Sequence, residues 1–433
     1  MVTERLSWQC CDDCGAELDE LDPAPRCPAC GGLLAIVHRA PSLRGAALQL
    51  HFADACCARP SRTASGVWRF GEIVLPTAVD VAVSHPEGNT PLLQRQALSE
   101  WAGVESLQFK HEGHNPTGSF KDRGMTVGVT QAKRIGARAV ACASTGNTSA
   151  ALASYAAHAG IPGLVFIPEG QVALGKLTQT LAYGARTLLV DGDFDDCLRL
   201  VQAAAQELGV YLLNSINPFR LEGQKTIVLE LLQQCGWEPP DWIVLPAGNL
   251  GNTAAFGKAL DEAIAWGLIT RRPRIASVQA AGAAPFAAAF DRGFDRLEHV
   301  EAHTIATAIK IGAPASYGRA VRAIRASGGC VLSVTDAEIL TAKAAIDRAG
   351  VGCEPASAAA LAGVRALRER GVIHPDDRVV AILTGHILKD PGILQQMHQV
   401  QQPPEAWANA PIRISPTIEA VRRVLEQEMG KTG

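Results

Sequence analysis

The stretch Ile243-Val-Leu-Pro-Ala-Gly-Asn-Leu-Gly-Asn-Thr253 contains a whole folding unit. Its apolar start predicts a buried strand, Gly248 to Asn252 a tight polar loop, and residues 254–266 a helix that opens directly from that loop. Free amides and the positive end of the helix dipole meet there, an arrangement that grips a phosphate. The glycine spacing is not Gly-x-Gly-x-x-Gly, so a dinucleotide site is not predicted. The same kind of apolar run returns at Ala139–Ala143, Leu164–Pro168, Thr187–Val190, Ile275–Gln279, Val331–Val334 and Val379–Leu383, with helical stretches between. Short buried strands alternating with helices predict an α/β protein with a mainly parallel sheet.

Upstream, Leu107-Gln-Phe-Lys110 reads as a strand that feeds Gly118-Ser-Phe-Lys-Asp-Arg-Gly124. A helix is expected to start near Phe120 with Ser119 as its cap, which would hold Lys121 on a rigid first turn. A partly desolvated lysine at a helix's positive end has a lowered pKa and can attack an aldehyde. His111-Glu-Gly-His114 is one residue short of the spacing that puts two histidines of a metalloprotease on one helical face. Ser144-Thr-Gly-Asn-Thr-Ser149 leads from a strand into the small-residue helix 150–159, a place for a carboxylate or other anion, and Asn147 brings a side chain that can bond a phenolate oxygen. Asn214, Ser215 and Arg220 lie in a polar loop before a helix and could converge on a phosphate. Glu354-Pro-Ala-Ser357 opens another alanine-rich helix. The last strand ends at Thr384, placed to offer its hydroxyl at the carboxyl edge of the sheet, where open α/β sheets bind ligands.

With 433 residues the chain can fill two or three domains. A net charge of −3 gives no argument for nucleic acid or an anionic membrane. No signal peptide or membrane-spanning run is visible, so a cytoplasmic protein is expected. Five of the twelve cysteines fall in the first thirty residues. Cys11-x2-Cys14 and Cys27-x2-Cys30, each followed by glycine, can offer four thiolates to a structural zinc with no open position, and Cys10 is a spare. Residues 40–65 read as a connector, Cys56-Cys57 have no assigned role, and residues after 402 read as a polar tail with one amphipathic helix, Thr417–Met429.

A poised lysine, a phosphate loop and an asparagine-bearing turn, each at a strand end, fit pyridoxal 5′-phosphate. Lys121 would carry the aldehyde carbon as an aldimine, Gly248, Asn249, Leu250, Gly251 and Asn252 the phosphate, Asn147 the ring oxygen and Thr384 the ring nitrogen.

Five motifs in order, across roughly residues 65–400, resemble the threonine synthase family of fold-type-II pyridoxal-phosphate enzymes: His111 to Met125, Ser144 to Thr148, Asn214 to Thr226, Gly248 to Asn252 and Thr384 to Pro391. The resemblance implies two open, mainly parallel α/β domains of the tryptophan synthase β type behind a zinc-ribbon-like segment. It divides the chain into ribbon 1–40, connector and first part of the large domain 41–114, small domain 115–210, large domain 211–402 and tail 403–433. It implies conversion of O-phospho-L-homoserine and water to L-threonine and phosphate, in a homodimer. Thr145, Asn147 and Thr148 would hold the substrate carboxylate, and Asn214, Ser215, Arg220 and Lys176 its phosphate. Ile387 and Ala313 depart from the glycine and asparagine usual in the family. A β-replacement enzyme of the cysteate synthase type, acting on O-phosphoserine, and a non-catalytic metabolite-binding protein with a retained cofactor pocket are the alternatives.

Overall fold

The computed structural model describes residues 5–57, 61–169, 174–398 and 408–429. The chain opens with β1 (Ser7–Cys11), β2 (Glu17–Leu18) and β3 (Leu34–His38), an antiparallel sheet in the order β2-β1-β3. Its two turns are the cysteine knuckles. The segment expected to be a connector contains helix α1 (Gly45–Cys57), a correction to the sequence reading. Leu48 and Phe52 lie one turn apart on α1 and are completely buried in the main core. The helix begins at Gly45, at a φ of +53° that favours glycine.

The body follows as β4 (Leu92–Gln94), α2 (Gln96–Ala102), β5 (Ser106–His111) and α3 (Lys121–Arg134). Next come β6 (Ala139–Ala143), α4 (Asn147–Ala159), β7 (Gly163–Pro168), α5 (Leu174–Ala182), β8 (Arg186–Val190), α6 (Phe194–Glu207) and β9 (Val210–Leu212). Strands β6 to β9 make a four-stranded parallel sheet in the order β8-β7-β6-β9. The chain then runs through α7 (Pro218–Gln234), β10 (Trp242–Pro246), α8 (Gly251–Ala265), β11 (Arg274–Ala280), α9 (Pro285–Asp291), α10 (Tyr317–Ser327), β12 (Cys330–Val334), α11 (Asp336–Arg348), α12 (Pro355–Glu369) and β13 (Arg378–Leu383). These strands join β5 and β4 in a six-stranded sheet, β12-β11-β10-β13-β5-β4, parallel except at edge strand β4. The continuous apolar runs of β6 and β10 are buried at every position, as expected when helices cover both faces.

Helices α3 and α7 meet through glycines. A Cβ on Gly223 would overlap Arg123 O, and one on Gly124 would lie 3.0 Å from Arg220 O. That close approach is what sets the Lys121 end of α3 beside Arg220. A separate unit begins at Pro391, with helices at Pro391–Met397 and Ile418–Met429 among its described residues, the second matching the expected tail helix. Among the described residues no helix is long and apolar enough to cross a membrane.

Candidate active site

Lys121 is the first residue of α3. The expected serine cap is not made in the expected way. The N-cap position belongs to Phe120, whose side chain cannot bond the helix, and Ser119 Oγ accepts only a long 3.4 Å contact from Lys121 N–H. Tertiary pairing fixes the turn instead: Phe120 N–H donates to Thr384 O at 3.0 Å, His386 N–H to Gly118 O at 2.9 Å, and Ser119 bridges Gly385. The two motifs at 118–124 and 384–391 are therefore one structure. Burial, and then the Arg220 guanidinium, lower the Lys121 pKa to about 7, while Glu354 acts in the opposite direction. Its ammonium also sits 4.2 Å from the Phe120 ring centroid.

Arg220 stands in the first turn of α7, behind Pro218 and the capping side chain of Asn217, which accepts from the Phe219 and Arg220 amides. It is 1% exposed. Nη1 donates to Leu213 O at 3.0 Å, and Nε and Nη2 have no partner among the described residues. A buried guanidinium with two unused nitrogens is costly unless an anion completes it. Burial lowers its pKa to about 10.

Asn214 and Ser215, predicted beside it, have local partners. Asn214 Oδ1 accepts from Ala143 N–H at 3.0 Å, and Ser215 Oγ accepts from Asn249 Nδ2 at 2.5 Å. The second bond ties the phosphate-grip candidate at 214–220 to the glycine-rich loop. In that loop Leu250 adopts a φ of +64° and provides no side-chain cap to α8. A Cβ on Gly248 would lie 2.9 Å from Ile309 Cα, and Asn252 Oδ1 is buried without a partner among the described residues. The loop is thus built for backbone approach, with an unused polar atom left inside.

At the N-terminus of α4 the N-cap is Gly146, which brings no side chain, so the first helix amides framed by Thr145, Asn147 and Thr148 have no N-cap side chain, while Ser144 Oγ accepts from Gly146 N–H at 3.2 Å. Asn147 Nδ2 donates to Glu354 Oε2 at 2.9 Å. Thr384 Oγ lies 2.9 Å from Ser357 Oγ and donates to Glu354 Oε1 at 3.1 Å. A cleft of about 600 Å³ opens over this group, lined by Gly118, Gly146, Asn147, Gln179, His386 and Lys389 among others. Lys389 Nζ reaches across it to Gln179 Oε1 at 2.5 Å. Lys176 lies on α5, and its side chain is outside the described residues.

Neither departure from the family pattern faces the cleft. Ile387 turns toward Gly352, where a Cβ would lie 3.2 Å from Ile387 Cδ1, and Ala313 is an exposed loop residue. The sequence reading named Glu354 only as the start of a helix that could line the site, and gave Lys389 no role. Their signal was position, one opening α12 and the other inside the motif after β13.

The four knuckle thiols come together, with Cys11, Cys14, Cys27 and Cys30 all within 4.8 Å of one another. Cys11 to Cys30 is 3.4 Å and Cys14 to Cys27 3.6 Å. Zinc–sulfur bonds of about 2.3 Å in a tetrahedron place sulfurs roughly 3.8 Å apart, so the spacing fits that metal. Cys10 is outside the cluster. A second group, His38, Glu222 and Glu262, is already saturated by ammonium groups: Lys225 and Lys258 each pair with both carboxylates.

The pattern of pyridoxal-phosphate dependent enzymes matches residues 83–385, and the chain belongs to that family. The unpartnered Arg220 nitrogens fit an anionic group, and the glycine-lined loop fits the phosphate of such a cofactor. The chain is 46% identical to a threonine synthase of Methanosarcina acetivorans, covering 88% of this chain and 92% of that one. It is 42% identical to a threonine synthase of Methanocaldococcus jannaschii, covering 97% and 99%. Within the wider family it therefore belongs to the threonine synthases. The fold is similar to the crystal structure of threonine synthase from Escherichia coli, with a TM-score of 0.66 at 18% identity over 93% of this chain and 95% of that one.

Proposed function

We propose that the chain converts O-phospho-L-homoserine and water to L-threonine and phosphate, as a carbon–oxygen lyase dependent on pyridoxal phosphate. The observation that carries this reading is Arg220, buried with two guanidinium nitrogens that have no partner among the described residues, and acting electrostatically on Lys121. A fork of that shape suits a phosphate. The cofactor, when bound, supplies an aldehyde carbon and an electron sink. Lys121 would carry it, with the loop Gly248–Asn252 on its phosphate, Asn147 at the ring oxygen and Thr384 at the ring nitrogen. A lysine near pKa 7 is present both as free amine and as ammonium at neutral pH, so Lys121 can accept and return protons at adjacent substrate carbons. The uncapped turn at Thr145, Asn147 and Thr148 would orient the substrate carboxylate. Arg220, with Asn214, Ser215 and Lys176, would hold the phosphate and keep it near after it leaves.

The Cys11, Cys14, Cys27 and Cys30 cluster supports a structural zinc in a ribbon-like segment, and the four-stranded sheet supports a small domain at 115–210 beside a large one at 211–402. A cytoplasmic homodimer completes the proposal. The test is phosphate release from O-phospho-L-homoserine against O-phospho-L-serine, with products identified by mass. Threonine from the first substrate is expected. Turnover of the second alone would move the activity to β-replacement, and turnover of neither would refute the enzyme reading.

A further inference from the structure

Glu354 has no part in the reading above, yet it joins the two side chains assigned to the cofactor ring. It is the N-cap of α12 and 4% exposed. Oε2 accepts from Asn147 Nδ2 at 2.9 Å and Oε1 from Thr384 Oγ at 3.1 Å, so one carboxyl spans from α4 beside the small sheet to the end of β13 in the large one. The backbone makes room for it. Glu354 N–H donates to Gly385 O at 3.1 Å, and a Cβ on Gly385 would stand 2.6 Å from Glu354 Oε2. Gly385 is also the residue that bridges Ser119, two positions before Lys121.

The carboxyl has an unusual electrostatic setting. Among the described residues no ion pair forms on it. Lys389, after β13, and Lys121, on α3, act on it through space, and burial raises its pKa above the ordinary carboxyl range. The buried Cys353 thiol is its sequence neighbour.

Counting protons shows what such a group controls. The hydroxyl of Thr384 has one hydrogen. Its oxygen touches Ser357 Oγ and Glu354 Oε1, and Ser357 Oγ already accepts from Gly385 N–H at 3.0 Å. An ionised carboxyl only accepts, so it takes the Thr384 hydrogen and leaves Thr384 a lone pair for the site. A protonated carboxyl can donate to Thr384, which frees the hydroxyl hydrogen to turn toward the site. Asn147 Nδ2 can donate to the carboxyl in either state.

We propose that Glu354 is a positioning residue whose carboxyl holds Asn147 and Thr384 in register and whose proton decides whether Thr384 meets the ring nitrogen as donor or acceptor. The proposal rests on the reading of this site as one for pyridoxal phosphate. The test compares cofactor-free wild type, E354Q and E354A, each titrated with pyridoxal phosphate and followed by visible absorbance, then titrated in pH with the cofactor bound. Glutamine keeps an oxygen for Asn147 and offers an N–H to Thr384, so it copies the protonated carboxyl at every pH. Cofactor affinity is expected to stay within about threefold of wild type in E354Q and to fall at least about tenfold in E354A, the effect of stranding buried hydrogen-bonding groups. The pH curve of the bound cofactor's absorbance is expected to differ between wild type and E354Q. An E354A protein with wild-type affinity, or superimposable pH curves for wild type and E354Q, overturns the proposal while leaving the cofactor site standing. Wild type that takes up no pyridoxal phosphate refutes the site reading, and the proposal with it.

Discussion

Removing the Glu230 carboxylate should unsettle the ground under the lysine helix more than any other single change behind it. Glu230 has a fully buried side chain. Oε1 accepts from Lys110 Nζ at 2.5 Å, Arg123 Nη2 at 2.8 Å and Thr90 N–H at 3.0 Å. Oε2 accepts from Arg69 Nη2 at 2.6 Å and Asn89 N–H at 2.8 Å. Arg123 is two residues beyond Lys121 on α3 and is held on its other side by Glu112, through Nε at 2.7 Å and Nη2 at 2.9 Å. Three cations thus face two carboxylates. Glu230→Ala leaves Glu112 alone against all three and strands two backbone amides. Breaking one buried pair costs about 3–5 kcal/mol, a large part of the roughly 5–15 kcal/mol that holds a typical domain folded. Chemical denaturation followed by tryptophan fluorescence reads this directly, because Trp68 is buried and its Nε1 donates to Thr126 Oγ on α3 at 2.7 Å. Adding Lys110→Met to Glu230→Ala removes one uncompensated charge and should recover about 1 kcal/mol or more. A loss below about 1 kcal/mol in the single variant, or further damage from the second substitution, would refute this account. The pH dependence has a definite sign. The surrounding cations hold the Glu230 pKa well below the ordinary carboxyl range. Its contribution is therefore complete above the unfolded value of about 4.3 and lost as pH falls below it, so the acid-side decline should be shallower in Glu230→Ala.

Lys121→Ala should bind no cofactor covalently, give no visible band, and lower phosphate release by roughly 10³-fold or more, read by absorbance and a phosphate assay. Arg220→Met should raise KM for O-phospho-L-homoserine by at least about tenfold, and Arg220→Lys should restore little, since an ammonium cannot replace the planar fork. Cys14→Ser should lower the zinc bound per chain, measured by elemental analysis, because the knuckle sulfurs stand at the spacing of a tetrahedral site. Gly385→Ala should weaken pyridoxal phosphate binding, measured by titration, because its methyl group would enter the space of the Glu354 carboxyl.

The resemblance in the five motifs and the local signals together named most of the residues proposed for the site. The strand runs at 139–143, 164–168 and 243–245, the loop at 248–252 and the two cysteine knuckles all depend on neighbours a few residues away, and each is where it was expected. The cap at Ser119 was misread because the real support for that turn comes from Thr384, Gly385 and His386, more than two hundred and fifty residues later. Helix α1 was missed because it is held by packing at Leu48 and Phe52, against residues distant in sequence.

By itself the sequence determined which stretches become strands, helices and knuckles, and which side chains could serve chemistry, since spacing and turn residues act at short range. Only the tertiary structure decided which of the many charged residues leave water. The close crossing of α3 and α7 at Gly124 and Gly223 puts Arg220 beside Lys121, and four separate segments bring Arg69, Lys110, Glu112, Arg123 and Glu230 into one buried network. Glu354 acquires its place between Asn147 and Thr384 in the same way. A charge changes its pKa, and thereby its chemistry, when folding removes its water and supplies distant partners, and no local pattern records that event.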